Sequence, residues 1–234
     1  YTDTLGLRLV KRSVNQDDPG VHHLFYGDRV GSPGTSLTFF PYPEASTGQA
    51  GAGQATTVGL AIPPDAVSFW LDRLDENDVD REEPRERFGE TVVPFRDPDG
   101  LDLELVARDV APGELPDGPV SQEQAIRGFA DVTLTVTDSE AMAGLLGAMG
   151  YREVGKAEGL LRFEASGERG AGLYLREDPS AERGRQGAGT VHHIAFRVTA
   201  AEQEAWRELL TDRGLRPTEI IDRKRFESVY ARTP

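Results

Sequence analysis

The sequence predicts an α+β fold of two homologous modules, residues 1–119 and 120–234, each assembled from βαβββ-like units. Three observations predict it. Short stretches with strand-like alternation outnumber the helical ones. Residue strings recur in the two halves in the same order. A segment rich in turn formers, 111–121 with Pro112, Gly113, Pro116, Gly118 and Pro119, divides the halves as a linker.

Residues 7–14, 21–26 and 36–40 read as strands, separated by the turn signals Asp17-Asp18-Pro19-Gly20 and Ser32-Pro33-Gly34. Residues 57–62 form the next strand. Pro63-Pro64-Asp65 then opens a helix with Val67, Trp70, Leu71 and Leu74 on one apolar face. The charge-rich stretch 76–87 reads as a solvated helix end and loop. Strands at 90–95 and 102–107 flank Asp97-Pro98-Asp99-Gly100. In the second half, 130–136 is a strand and Ser139 is the expected N-cap of a helix running to about Met149. Strands follow at 151–154, 160–163, 172–175 and 190–198. A helix at 201–210 carries Trp206, Leu209 and Leu210 on one face, and strands at 218–221 and 228–232 close the chain.

The repeat is legible in residues. Leu5-Gly6-Leu7-Arg8 parallels Met149-Gly150-Tyr151-Arg152, and Gln49-Ala50-Gly51-Ala52-Gly53 parallels Gln186-Gly187-Ala188-Gly189. Phe69-Trp70-Leu71-Asp72-Arg73-Leu74 parallels Ala205-Trp206-Arg207-Glu208-Leu209-Leu210, and Arg96-Asp97-Pro98 parallels Arg232-Thr233-Pro234. The alignment places Tyr1 inside a helix and leaves one strand missing at each end, so the expectation is a truncated chain whose unpaired edges favour self-association.

Composition excludes several functions. There is no cysteine among the 234 residues, so disulfides, thiol nucleophiles and cysteine-held metal clusters are ruled out. A formal charge of −14 repels phosphate backbones, which argues against nucleic acid. No apolar stretch approaches a membrane span. The polar opening Tyr1-Thr2-Asp3-Thr4 is no secretory signal, and the expected compartment is the cytoplasm. Lys11, Lys156 and Lys224 are the only lysines. Acid-rich, lysine-poor composition suits a halophilic, salt-adapted protein; an ordinary acidic protein from a GC-rich genome has the same balance.

The four histidines form two pairs, His22-His23 and His192-His193. The first pair falls on the second strand of module one and the second opens the last βαβββ unit, so they are not equivalent. Neighbours in a strand face opposite ways, so one histidine of each pair can face a given pocket. A strand histidine is a metal-ligand candidate or a hydrogen-bonded structural residue. Asp102 and Glu104 share a strand face that reads as solvated. The glycine-rich runs 48–53 and 184–189 lead into strands, which argues against a phosphate cradle and reads as mobile connection. No Gly-x-Ser-x-Gly is present.

Several strings are specific. Leu5-Gly6-Leu7-Arg8-Leu9-Val10-Lys11-Arg12, then Val14-Asn15-Gln16-Asp17-Asp18-Pro19-Gly20, resembles the start of ring-cleaving dioxygenases of the vicinal oxygen chelate (glyoxalase/bleomycin-resistance/dioxygenase) superfamily. Gly31-Ser32-Pro33-Gly34-Thr35-Ser36-Leu37-Thr38-Phe39-Phe40-Pro41 and Phe95-Arg96-Asp97-Pro98-Asp99-Gly100-Leu101 continue the likeness. So do Gly187-Ala188-Gly189-Thr190-Val191-His192-His193-Ile194-Ala195-Phe196, Asp222-Arg223 and Ser228-Val229-Tyr230. The likeness runs over essentially the whole chain, and the subgroup it points to includes hydroquinone ring-cleaving enzymes.

The resemblance implies curled mixed sheets with flanking helices around a metal pocket. It implies Fe(II) held by two histidines and a glutamate, with positions left open for substrate and dioxygen. It makes His193 the metal ligand, and His192, Arg223 and Tyr230 residues that orient or polarise a hydroxylated aromatic substrate. The other two ligands would lie on the strands expected to be missing. Glu104 is the counterpart of the missing glutamate, and Asp131 occupies the counterpart of its histidine partner, so a full second site is not expected. Two rival readings share the fold: a small-molecule-binding resistance protein, and a glyoxalase-type metal isomerase or lyase.

Overall fold

The computed structural model describes every residue except Pro116, Glu168 and Arg225; Pro116 of the expected linker thus lies outside the described residues. Strands β1 (Arg8–Val14), β2 (His22–Gly27) and β3 (Leu37–Phe39) form an antiparallel sheet of three. The following two βαβββ units are complete. The first comprises β4 (Gln54–Ile62), α1 (Val67–Glu76), β5 (Arg85–Arg87), β6 (Glu90–Arg96) and β7 (Asp102–Ala107). The second comprises β8 (Gly128–Val136), α2 (Ser139–Ala148), β9 (Arg152–Ala157), β10 (Leu160–Glu164) and β11 (Gly172–Glu177). Each unit pairs its first strand in parallel with its last, and β4 and β8 pair antiparallel at the centre. The result is one eight-stranded sheet in the order β5-β6-β7-β4-β8-β11-β10-β9. Helix α3 (Gln203–Asp212) and the short hairpin β12 (Ile221–Asp222)–β13 (Glu227–Ser228) follow.

Alternation along β4 fixes which face is apolar. Val58, Leu60 and Ile62 pack with Trp70, Leu74, Leu103 and Leu105, while Ala61 turns to the other face beside Val92, Val106 and Ala130. Trp70 is fully buried, and its indole nitrogen donates to the Gln124 carbonyl at 2.9 Å. Burying that N–H without an acceptor would cost on the order of 1–3 kcal/mol. A second core forms where Met142, Leu145 and Leu146 of α2 cover Leu134, Phe163, Leu173 and Leu175. Among the described residues, no helix is long and apolar enough to cross a membrane.

Several expectations need correction. Tyr1 lies outside any helix; its hydroxyl donates to Asp97 at 2.8 Å. The N-cap of α2 is Asp138, which accepts from the Glu140 amide at 2.9 Å, and Ser139 is already helical. The charged stretch 76–87 ends in a strand, with Arg87 2% exposed. Glu104, expected on a solvated face, is 3% exposed because ion pairs compensate its burial. Residues 191–199 form no strand. Their repeat counterpart, β4, is hydrogen-bonded on both sides, whereas among the described residues no strand lies alongside 191–199. An extended segment without a ladder partner is not a strand. For the same reason the last strands shrink to β12 and β13, and Trp206, Leu209 and Leu210 of α3 are only half-buried.

The glycine-rich runs are a packed crossing and not mobile connections. Thr47, Gln49 and Ala52 bridge to Ala188, Arg185 and Arg183. The Gly48 amide donates to the Ala188 carbonyl, and the Ala188 amide to the Ser46 carbonyl, both at 2.9 Å. Side chains would separate the two backbones: a Cβ on Gly187 would meet Gly48 N at 2.5 Å and its Cα at 2.7 Å.

Candidate functional site

The β1–β2 hairpin, the segment after the crossing and the β12–β13 region converge on one patch. The crossing delivers His192 and His193, whose Nδ1 atoms lie 2.9 Å apart. Both rings reach the same patch because 191–199 is irregular, so strict strand alternation does not separate them. One imidazole donates to the other, which leaves an Nε2 on each ring free for another partner. The Tyr230 ring stands edge-on to His193, with centroids 6.0 Å apart. Its backbone is pinned by Thr218, which donates to the Tyr230 carbonyl at 2.9 Å and accepts from its amide at 3.1 Å.

Arg223 lies over the Tyr230 ring at 5.3 Å. Two residues of the β1–β2 turn hold it: Arg223 donates to Asp17 at 2.8 Å, and the Gln16 amide donates to the Arg223 carbonyl at 2.7 Å. The hydrogen bond from Arg223 holds the Asp17 carboxyl below the usual carboxylate range. Asp17 in turn raises Arg223, which stays charged. The four residues singled out from the sequence, His192, His193, Arg223 and Tyr230, are therefore brought together.

One residue was missed. His22 points outward to Arg12, with a 2.7 Å contact, while His23 turns inward between Phe25 and Phe40, at 4.0 and 4.3 Å between centroids. Phe40 also meets His192 edge-on at 5.9 Å. His23 Nε2 is buried and has no partner among the described residues. Burial first, then the positive potential of His193 and Lys11, pushes His23 down to about 4, so it is neutral at pH 7. His193 is lowered too, by crowding of its ring and then by His192 and Arg223. The alternation rule put one of His22 and His23 inward; only the aromatic pair around His23 reveals which.

The patch thus offers imidazole nitrogens, a phenol and a fixed guanidinium. That set suits an anionic oxygen on an aromatic ring. Imidazole also suits iron. Among the described residues, however, no three His, Cys, Asp or Glu side chains gather to hold a metal.

Residues 1–105 match the model of the Glyoxalase/Bleomycin resistance protein/Dioxygenase superfamily. MhqO of Bacillus subtilis (strain 168), which carries the provisional name of ring-cleaving dioxygenase, is 40% identical over 99% of this chain and 75% of its own. The chlorohydroquinone/hydroquinone 1,2-dioxygenase of Sphingobium indicum is 36% identical over 99% of this chain and 75% of its own. A crystal structure from Bacillus subtilis subsp. subtilis str. 168, provisionally named a dioxygenase, superposes with a TM-score of 0.94 at 39% identity, covering 100% of this chain and 76% of that one. Glyoxalase I from Zea mays shares the fold, with a TM-score of 0.64 at 17% identity, covering 94% and 76% of the two chains. With relatives this similar along the whole chain, the protein belongs to the Glyoxalase/Bleomycin resistance protein/Dioxygenase superfamily.

Proposed function

We propose that this protein is an Fe(II)-dependent ring-cleaving dioxygenase that opens a hydroquinone- or catechol-like ring and incorporates both atoms of dioxygen. The observation that carries the reading is the joint placement of His193, His192, Tyr230 and Arg223, with Arg223 fixed from the opposite side by Asp17. The hydroquinone-cleaving relative supports the substrate class.

In this reading His193 is a metal ligand through Nε2, its Nδ1 being engaged with His192. Bound iron supplies the electronic path between ring and dioxygen that a spin-paired organic substrate lacks. The chain's own residues prepare the ring. Arg223 stabilises the negative charge on a ring oxygen whose proton is released to solvent. Tyr230 has a hydroxyl to donate to that oxygen, and its pinned backbone fixes where the hydroxyl reaches. His192 orients His193 and has a nitrogen left over for a substrate hydroxyl. His23, neutral at pH 7, adds an uncharged imidazole to the same wall. In the same reading the enzyme is cytoplasmic, and its acid-rich composition is a salt adaptation.

The experiment is oxygen uptake with hydroquinone by the full-length protein, alongside its His193→Ala variant, with iron content measured on both. The reading expects uptake and iron in the parent and loss of both in the variant. Full uptake in the variant would refute it.

A further inference from the structure

The eight-stranded sheet holds a second cluster of ionised side chains that the proposed reaction does not use. Glu104 of β7 and Asp131 of β8 lie on either side of Gly59 of β4, in one row across three strands. Gly59 has no side chain to fill the space between them, and a Cβ there would lie 3.1 Å from the Asp131 carboxyl carbon. Arg87 of β5 fills it instead. Its Nη1 is 2.7 Å from Glu104 Oε2, and its Nη2 is 3.7 Å from Asp131 Oδ1. Its guanidinium lies 4.6 Å from the Tyr174 ring centroid. Arg87, Glu104, Asp131 and Tyr174 are 2%, 3%, 3% and 0% exposed.

A ring of further charges closes the cluster. Arg108 donates to Asp131 at 3.0 Å and to Glu90 at 2.7 Å, Arg85 donates to Glu104 at 2.9 Å, and Arg162 stands 3.6 Å from Glu90. The Tyr174 hydroxyl, Asp131 Oδ1 and Arg87 Nη2 have no hydrogen-bond partner among the described residues. Burial pushes Asp131 up to about 6 even with Arg108 and Arg87 beside it. Of the arginines around the cluster, Arg87 is the one that contacts both inner carboxylates.

The position of this cluster is informative. Gly53 and Gly189 mark the same point in the two glycine-rich runs, with φ of 80° and 77°. Counting on four residues from each, Thr57 of β4 matches His193. Thr57 is two residues from Gly59 and shares its sheet face. The eight-stranded sheet thus repeats the placement of the candidate metal-binding residue, with two carboxylates beside it and no imidazole.

We propose that this cleft is a second cation site whose resident cation is the Arg87 guanidinium, and that it takes a hard divalent ion when Arg87 is replaced by a small neutral side chain. The donors are carboxylate and phenol oxygens from Glu104, Asp131 and Tyr174, which select ions of the Mg, Mn and Ca class over thiophilic metals. Arg87 reaches both carboxylates at once, so one fixed positive charge does the neutralising a metal would otherwise do. The argument from position rests on the reading of His193 as a metal ligand, whereas the ion pairs and the burial of the cluster do not.

The test is Mn2+ titration of the full-length protein, followed calorimetrically and by electron paramagnetic resonance, for the parent, Arg87→Ala, Arg87→Lys and Arg87→Ala with Glu104→Gln. The proposal expects Arg87→Ala to bind one more equivalent than the parent, and the double variant to lose it. Arg87→Lys, which keeps a cation in place, gains none. If Arg87→Ala does not fold in chelator, refolding is measured with added Mn2+ against NaCl at equal ionic strength. Recovery with Mn2+ alone supports the site. A folded Arg87→Ala with no extra equivalent, an extra equivalent that survives Glu104→Gln, a gain in Arg87→Lys, or a chain that Mn2+ does not rescue would each overturn it.

Discussion

Replacing Gly187 with alanine tests the claim that the two glycine-rich runs are a structural crossing. The new Cβ would lie 2.5 Å from Gly48 N and 2.7 Å from Gly48 Cα, and it would also press on the Ser46 carbonyl. All three are backbone atoms, so no side chain can rotate away. Relief requires the runs to separate, which breaks the two 2.9 Å bonds between Ser46, Gly48 and Ala188. Two backbone hydrogen bonds at ~1 kcal/mol each, plus overpacking of about 1–3 kcal/mol, give a loss of roughly 3–5 kcal/mol. For a chain of this length each kcal/mol lowers Tm by about 2–4 °C, so calorimetry should show a drop of roughly 6–20 °C. The control is Gly214→Ala, where φ is 80° but nothing lies within 4 Å of the new Cβ. There only the left-handed backbone is penalised, at about 1–2 kcal/mol. The run leads directly into His192 and His193, so Gly187→Ala should also lose bound iron. A Tm equal to that of the Gly214→Ala control would refute the packed crossing.

Other consequences are as direct. Asp17→Asn removes an exposed ion pair worth about 0.2–1 kcal/mol, so KM for the aromatic should rise by up to about five-fold with iron content unchanged; an unchanged KM would remove Asp17 from any role in holding Arg223. His23 resists protonation down to about pH 4 in the folded protein, whereas the unfolded chain takes up that proton near 6.5. The unfolded state therefore binds more protons in that window, and stability falls as pH drops from 6.5 towards 4, with no contribution from His23 above 6.5. Urea midpoints for the parent and His23→Gln should diverge in slope across the window, and parallel curves would show that His23 is not desolvated. Trp70→Ala should lose about 3–5 kcal/mol in denaturant unfolding, since it empties a fully buried position and orphans the Gln124 carbonyl; a loss below 1 kcal/mol would mean that α1 is not anchored there.

Much of the fold was legible because its signals are local. The i, i+3, i+4, i+7 spacing of Val67, Trp70, Leu71 and Leu74 specifies α1, and alternation specifies β4, β6, β7 and β8. What the sequence concealed depends on partners far along the chain. Arg87 looks like one charge among many in a polar stretch; only the arrival of β7 and β8 makes it a buried counter-ion. Glu104 was misread for the same reason. The glycine-rich runs carry the composition of mobile linkers, and nothing in either run announces that the other lies against it. Residues 190–198 have strand composition, but strand formation needs a neighbour and is not a property of the segment alone. At the candidate site, His192, His193, Arg223 and Tyr230 were singled out through whole-string resemblance and not through chemistry readable from spacing. His23 escaped because alternation places one of two adjacent histidines inward without saying which.

The central claim is that the His193 patch serves ring cleavage by dioxygen. Its most direct test is turnover of hydroquinone under isotopically labelled dioxygen, with mass analysis of the product. The account predicts a ring-opened product carrying both labelled atoms from one dioxygen molecule, formed by the parent and not by His193→Ala. A product with its ring intact, or carrying a single labelled atom introduced by the enzyme, would contradict it.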